Sequence, residues 1–147
     1  MVEIRKSHID ELKIFSALDK QKDVKKYVTQ KPPDEYINEF RNPDMLYLTI
    51  INKYKKIAGY FIIVREDKKK SVEIRRIIVD ENERGIGQQA IREMEKFCKM
   101  TLKVQRAWLD VFEHNHRGWH VYRKLGYTKF KEGICEGKKL YFLEKQL

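Results

Sequence analysis

The sequence is poor in the residues that mark the common alternatives to an ordinary globular domain. Only two of its 147 residues are cysteine, Cys98 and Cys135, too few for a disulfide scaffold or a zinc finger. No apolar run approaches the roughly 20 residues that a membrane-spanning helix needs. The opening MVEIRKSHIDEL is charged from Glu3 onward and has no apolar signal core, so a cytoplasmic, reduced protein is expected. Seven glycines and three prolines build no repeat or low-complexity linker. Acid is also in deficit, with 22 Asp+Glu against 32 Lys+Arg and a net charge of +10. That surplus suggests nucleic acid, a membrane surface or a phosphorylated ligand as partner. Residues 1–70 and 71–147 each hold 16 bases and 11 acids, which excludes a basic tail.

What is present is enough apolar matter for a core, 41% of residues, with 12% aromatic. One domain spanning 1–147 is expected. VEIR alternates as a short strand, and Ile9, Leu12, Phe15, Leu18, Val24, Tyr27 and Val28 recur at helical spacing. Pro32-Pro33 interrupts that segment before a short helical DEYINEF. MLYLTIIN, KIAGYFIIVRE and SVEIRRIIVD are rich in β-branched residues and read as three strands. Lys68-Lys69-Lys70 falls between the second and third of these as an exposed hairpin tip. From Gly85 the apolar positions Ile86, Ala90, Ile91, Met94, Phe97, Cys98 and Leu102 make a long amphipathic helix with Cys98 in the core. RAWLDVFEH follows as a strand, NHRGWHVYRKLG as a helix stopped by Gly126, and YTKFKEG and KKLYFLEK as two last strands. The order predicts one α/β domain with a mixed sheet.

The segment VEIRRIIVDENERGIGQQ places a strand, a glycine-bearing loop and a helix start in succession. Such a helix start presents free N–H groups and a positive dipole end to a diphosphate. IIVDENERGIGQQ resembles motif A of the GNAT superfamily of N-acetyltransferases, [R/Q]-x-x-G-x-[G/A]. Arg84 stands in the Arg/Gln place and Gly87 in that of the required glycine, while Gln89 departs from Gly or Ala. WLDVFEHNHRGWHVYRKLGYTKF resembles the superfamily's motif B, with Asn115, Tyr122, Gly126 and Tyr127 matching. The resemblance implies a mostly antiparallel mixed sheet of six to seven strands with about four helices.

It also implies an acetyl-CoA-dependent N-acetyltransferase that needs no metal. Direct attack of an amine on the thioester would take place in a ternary complex. Carried over residue by residue, Ile77, Ile78 and Val79 hold the pantetheine arm through their backbone. Arg84, Gly85, Ile86, Gly87, Gln88 and Gln89 take the pyrophosphate, and Asn115 contacts the arm. Tyr122 lies near the sulfur and protonates the leaving group, because a phenol keeps its proton at neutral pH. Trp119, Tyr122 and Leu125 also share a helical face, which a core role would equally explain. Glu73 is the candidate base; an ion pair with Arg75, two positions along the strand, is its plainer role.

His114, His116 and His120 cluster, two of them at i and i+4, yet no carboxylate or cysteine pattern completes a metal site. KYVTQKPPDEYINEFRNP and KFKEGICEGKKL flank the expected acceptor site. Likeness of RRIIVDE and LDVFEHN to the polyamine and ribosomal-protein branch points to a small amine, of polyamine or amino-sugar type. A protein or peptide amine is the alternative. Two further readings are an acyl-CoA-binding sensor and a basic nucleic-acid-binding domain. The even charge and lack of an aromatic–basic motif argue against the last. KKLYFLEKQL offers an edge through which a homodimer could form.

Overall fold

A computed structural model describes residues 1–24, 31–83 and 85–147. Seven strands form one sheet: β1 (Glu3–Lys6), β2 (Met45–Ile51), β3 (Ile57–Glu66), β4 (Ser71–Val79), β5 (Arg106–Phe112), β6 (Thr128–Cys135) and β7 (Lys138–Gln146). Four α-helices are described: α1 (Leu12–Asp19), α2 (Pro33–Arg41), α3 (Gly87–Met100) and α4 (His116–Lys124). Strand order is β1-β2-β3-β4-β5-β7-β6. Every neighbouring pair is antiparallel except β4 and β5. This is the architecture expected from the sequence. Of the long N-terminal helical reading, Val24 lies beyond α1, and Tyr27 and Val28 fall outside the described residues.

The two sheet faces bury different cores. Leu48, Phe61, Ile63, Val72, Ile74, Leu109 and Val111 pack with Ala90, Met94 and Cys98 of α3. On the other face Phe15 of α1 and Tyr36 of α2 close over Tyr47, Tyr60, Ile62 and Ile78. Phe15, Tyr47 and Tyr60 are stacked there, with ring centroids 4.3 to 6.1 Å apart. The lysine tip forms a short 3-10 turn at Asp67–Lys69, closed by a left-handed Lys70.

One edge differs from expectation. β7, which contains KKLYFLEKQ, lies between β5 and β6 and is not an edge. The β6–β7 hairpin inserts its second strand beside β5, so β6 becomes the outer strand. β6 is exposed almost throughout, including Phe130 and Ile134.

Glu11 pins the N-terminal strand to α1. Its carboxylate accepts from both Arg5 Nη atoms at 3.0 and 2.7 Å, from His8 N–H at 2.8 Å and from Thr49 Oγ1 at 3.0 Å. These donors, Arg5 foremost, pull the carboxyl down to about 2. A depressed folded pKa contributes stability above the unfolded value and loses it as pH falls from there through about 2. Glu11→Gln should therefore cost about 3 kcal/mol at pH 7. Urea midpoints should converge with those of the parent protein as pH drops below about 4.

Candidate active site

The parallel pairing of β4 with β5 is short. Ser71, Val72 and Glu73 face Arg106, Ala107 and Trp108, and registered pairing stops there. β4 stays paired with β3 as far as Val79, and β5 with β7 as far as Phe112. The facing edges of Ile74–Val79 and Leu109–Phe112 therefore open into a slot lined by backbone donors and acceptors without a strand partner.

The cause is a β-bulge in β4. Ile62 faces Arg76 and Ile63 faces Ile74, leaving Arg75 as the extra residue. Strict alternation would put Ile74 and Ile78 on one face; they lie in opposite cores. A bulge bends its strand and raises the local twist, and this one sits two residues beyond the last β4–β5 pair. Buried chemistry holds it. Arg76 Nη1 donates to Asp19 Oδ2 at 2.8 Å, with the two side chains 9% and 0% exposed. Tyr60 Oη donates to Asp19 Oδ1 at 2.5 Å, and Tyr36 Oη donates to Oδ2. The carboxylate at the end of α1 thus fixes the strand just past its bulge.

At the end of the slot β4 runs into the glycine-bearing loop and α3. No side chain caps α3, and its first ladder bond runs from Ala90 N–H to Ile86 C=O. The N–H groups of Gly87, Gln88 and Gln89 precede that ladder. Gly85 is left-handed at φ +76°, and a Cβ at Gly85 or Gly87 would project into open space. The approach to these donors is clear. Gln21 ties the chain beyond α1 to this corner: its Oε1 accepts from Glu81 N–H at 2.7 Å and its Nε2 donates to Val79 C=O at 3.4 Å. Arg84 falls outside the described residues.

A model of the acetyltransferase (GNAT) family matches residues 12–127. The chain belongs to the GNAT family. These acetyltransferases use acetyl-CoA, whose thioester supplies an activated acetyl group. The slot, with its unpaired edges and open glycine loop, fits a donor with a long amide-bearing arm and a diphosphate. The fold is also that of spermidine N-acetyltransferase from Vibrio cholerae in complex with CoA and spermine. The TM-score is 0.86 at 14% identity, over 99% of this chain and 95% of that one. A dodecameric form of the Vibrio cholerae enzyme gives 0.80 at 13%, over 99% and 93%. No curated protein sequence matches.

The side chains at the slot come from both sheet faces. Tyr122, half-buried on α4, packs against the α3-side core with Tyr127 edge-on at 6.0 Å. Among the described residues no hydrogen bond engages its hydroxyl. Burial, and then the Asp110 carboxylate, push this phenol up to about 12. Asp110 alternates on β5 with Leu109 and Val111 of the α3-side core, so it faces the α1–α2 side. The Asp110 charge nevertheless reaches the Tyr122 phenol.

Glu73 accepts from Arg75 Nη2 at 2.8 Å, the ion pair its strand spacing allows. Arg75 in turn lies in the field of Glu73, Glu39 of α2 and Asp110. Asp110 is open to the cleft yet walled on enough sides that desolvation, helped by Glu73, raises its carboxyl above the ordinary range; Arg75 opposes this. Asp110 was absent from the sequence candidates, while Glu39 lies in the PPDEYINEF stretch expected to flank the acceptor site. Alternation gave Asp110 a face, but only the fold sets it across the slot from Glu73.

Asn115 caps α4, with Oδ1 accepting from Gly118 N–H at 3.1 Å. Its Nδ2 has no protein acceptor among the described residues. Ile78 points into the α1–α2 core, whereas Ile77 and Val79 pack at the edge of the α3-side core. Whatever these three residues offer the slot comes from their backbone. His114 stacks on Phe112 at 5.2 Å. Among the described residues no three His, Cys, Asp or Glu side chains group to hold a metal ion.

Proposed function

We propose that the protein transfers the acetyl group of acetyl-CoA to a primary amine of a small cationic acceptor, of polyamine or amino-sugar type. Attack is direct, within a ternary complex. The observation that carries the acceptor class is the pairing of Asp110 with Glu73 across the slot, both in the field of Arg75, with Glu39 of α2 adding to it. Among the described residues Asp110 has no ion-pair partner and attracts an ammonium group there, whereas Arg75 balances Glu73 and Lys31 balances Glu39.

In this reading Asp110 is the base. An ammonium must lose a proton before it can attack, and a carboxyl with a raised pKa takes it more readily. Glu73, held by Arg75, orients the acceptor's charge. Tyr122 Oη holds the proton that the departing sulfur takes, and no acceptor among the described residues competes for it. The backbone of Ile77, Ile78 and Val79 lies along the donor's arm, with Asn115 Nδ2 beside it. The N–H groups of Gly85 through Gln89, with Arg84, receive the diphosphate.

A panel of amines read by thiol release tests the acceptor class. Polyamines and amino sugars should release CoA well above a blank. Turnover with peptide amines alone would overturn the acceptor class and leave the family intact. Within that assay Asp110→Asn should lower kcat by about 10²-fold. Glu73→Gln should mainly raise the acceptor KM.

A further inference from the structure

We propose that the turn between β2 and β3, Asn52 to Lys56, is a second part of the donor site and binds the adenosine 3′-phosphate end of CoA. Register places it there. β3 faces β4 so that Gly59 opposes Val79, and the residues before Gly59 lie beside the loop that follows Val79. Asp80 N–H donates to Ala58 C=O at 2.7 Å, and Asn52 Nδ2 donates to Glu83 Oε1 at 2.5 Å. Glu83 is two residues from Gly85, where the chain turns into α3. Neighbouring strands lie about 4.8 Å apart, so an extended lysine on this turn spans the loop towards a ligand seated before α3.

The turn is held in shape. Asn52 Oδ1 accepts from Tyr54 N–H at 2.9 Å and from Lys56 N–H at 3.0 Å, and Lys55 adopts a left-handed φ of +64°. Lys55 is engaged by Glu3. Among the described residues Lys53 and Lys56 have no acidic partner. Tyr54 is 69% exposed, and Lys53 Nζ sits 5.2 Å from its ring centroid. An exposed aromatic platform flanked by lysines suits a purine with a phosphate beside it. CoA carries both groups beyond its diphosphate. This use also accounts for part of the surplus positive charge.

The test is the affinity of the intact protein for CoA and for 3′-dephospho-CoA, measured calorimetrically. The parent protein should prefer CoA by about tenfold, as expected for charge-assisted contacts to a phosphate. The double variant Lys53→Gln/Lys56→Gln should bring that ratio close to one and leave the 3′-dephospho-CoA affinity unchanged. Tyr54→Ala should weaken both ligands equally and leave 4′-phosphopantetheine unaffected. Lys68→Gln/Lys69→Gln, at the opposite end of β4, serves as a matched charge control and should keep the parent ratio. A parent protein that does not discriminate would overturn the proposal. So would a turn variant that keeps the ratio, or a control variant that loses it equally. None of these readouts depends on the acceptor.

Discussion

Tyr122→Phe is expected to lower kcat by about 10²- to 10³-fold, the scale of losing a positioned general acid. Its melting temperature should stay within about 2 °C of the parent, because no hydrogen bond among the described residues is deleted. The Tyr122 hydroxyl has no protein partner among the described residues, so the change removes a proton donor and leaves the ring packing intact. A purely structural tyrosine would leave turnover almost unchanged, and that result would sink the assignment. The pH dependence gives an independent check. A general acid works while protonated, and this phenol is pushed up to about 12. Its contribution is therefore present at lower pH and lost only as pH rises through that value. The parent kcat should show no alkaline limb from Tyr122 below about pH 10. The acid limb belongs to Asp110, which must be ionised to accept a proton. Since desolvation raises its carboxyl, that limb should lie above the ordinary aspartate range and disappear in Asp110→Asn.

Asp19→Asn is expected to cost about 3–5 kcal/mol, the usual result of stripping one partner from a buried ion pair. A melting temperature lowered by about 10 °C would be the corresponding observation. Arg76 would keep its charge in a place where its side chain is only 9% exposed. Tyr36 and Tyr60 would lose an anionic acceptor, the interaction that together with burial raises both phenols. The effect should reach the donor slot, because Arg76 follows the bulge that parts β4 from β5. CoA affinity measured below the melting transition should fall by more than in Glu11→Gln, which damages stability elsewhere. Equal CoA affinity in the two variants would separate the ion pair from the slot. A double-mutant cycle with Arg76→Gln should show strong coupling.

Much of the fold was legible because its signals are local. The 2.0 and 3.6 periods of apolar residues located the strands and α-helices, except that the first helical reading ran on towards Val28 whereas α1 ends at Asp19. The glycine-bearing loop and Tyr122 stood out through residue type and spacing. Reading KKLYFLEKQL as an edge failed for a physical reason. β7 carries the unbroken apolar run LYFL, which suits a strand paired on both sides, while the mostly polar TKFKEG of β6 suits the outer place. The bulge went unread as well: the alternation breaks at Arg75-Arg76 in IRRIIV, but only the register against β3 shows that Arg75 is the extra residue.

The sequence by itself determined the class of the chain, the glycine-bearing loop before α3 and the place of Tyr122 on α4. These follow from residue type and near-neighbour spacing, which every short window contains. Only the tertiary structure decided where β4 leaves β5, that Asp19 reaches Arg76, and that Asp110 stands across from Glu73. Asp19 and Arg76 are 57 residues apart in the chain. Their meeting depends on the packing of α1 over the sheet and on strand register, which non-local burial sets.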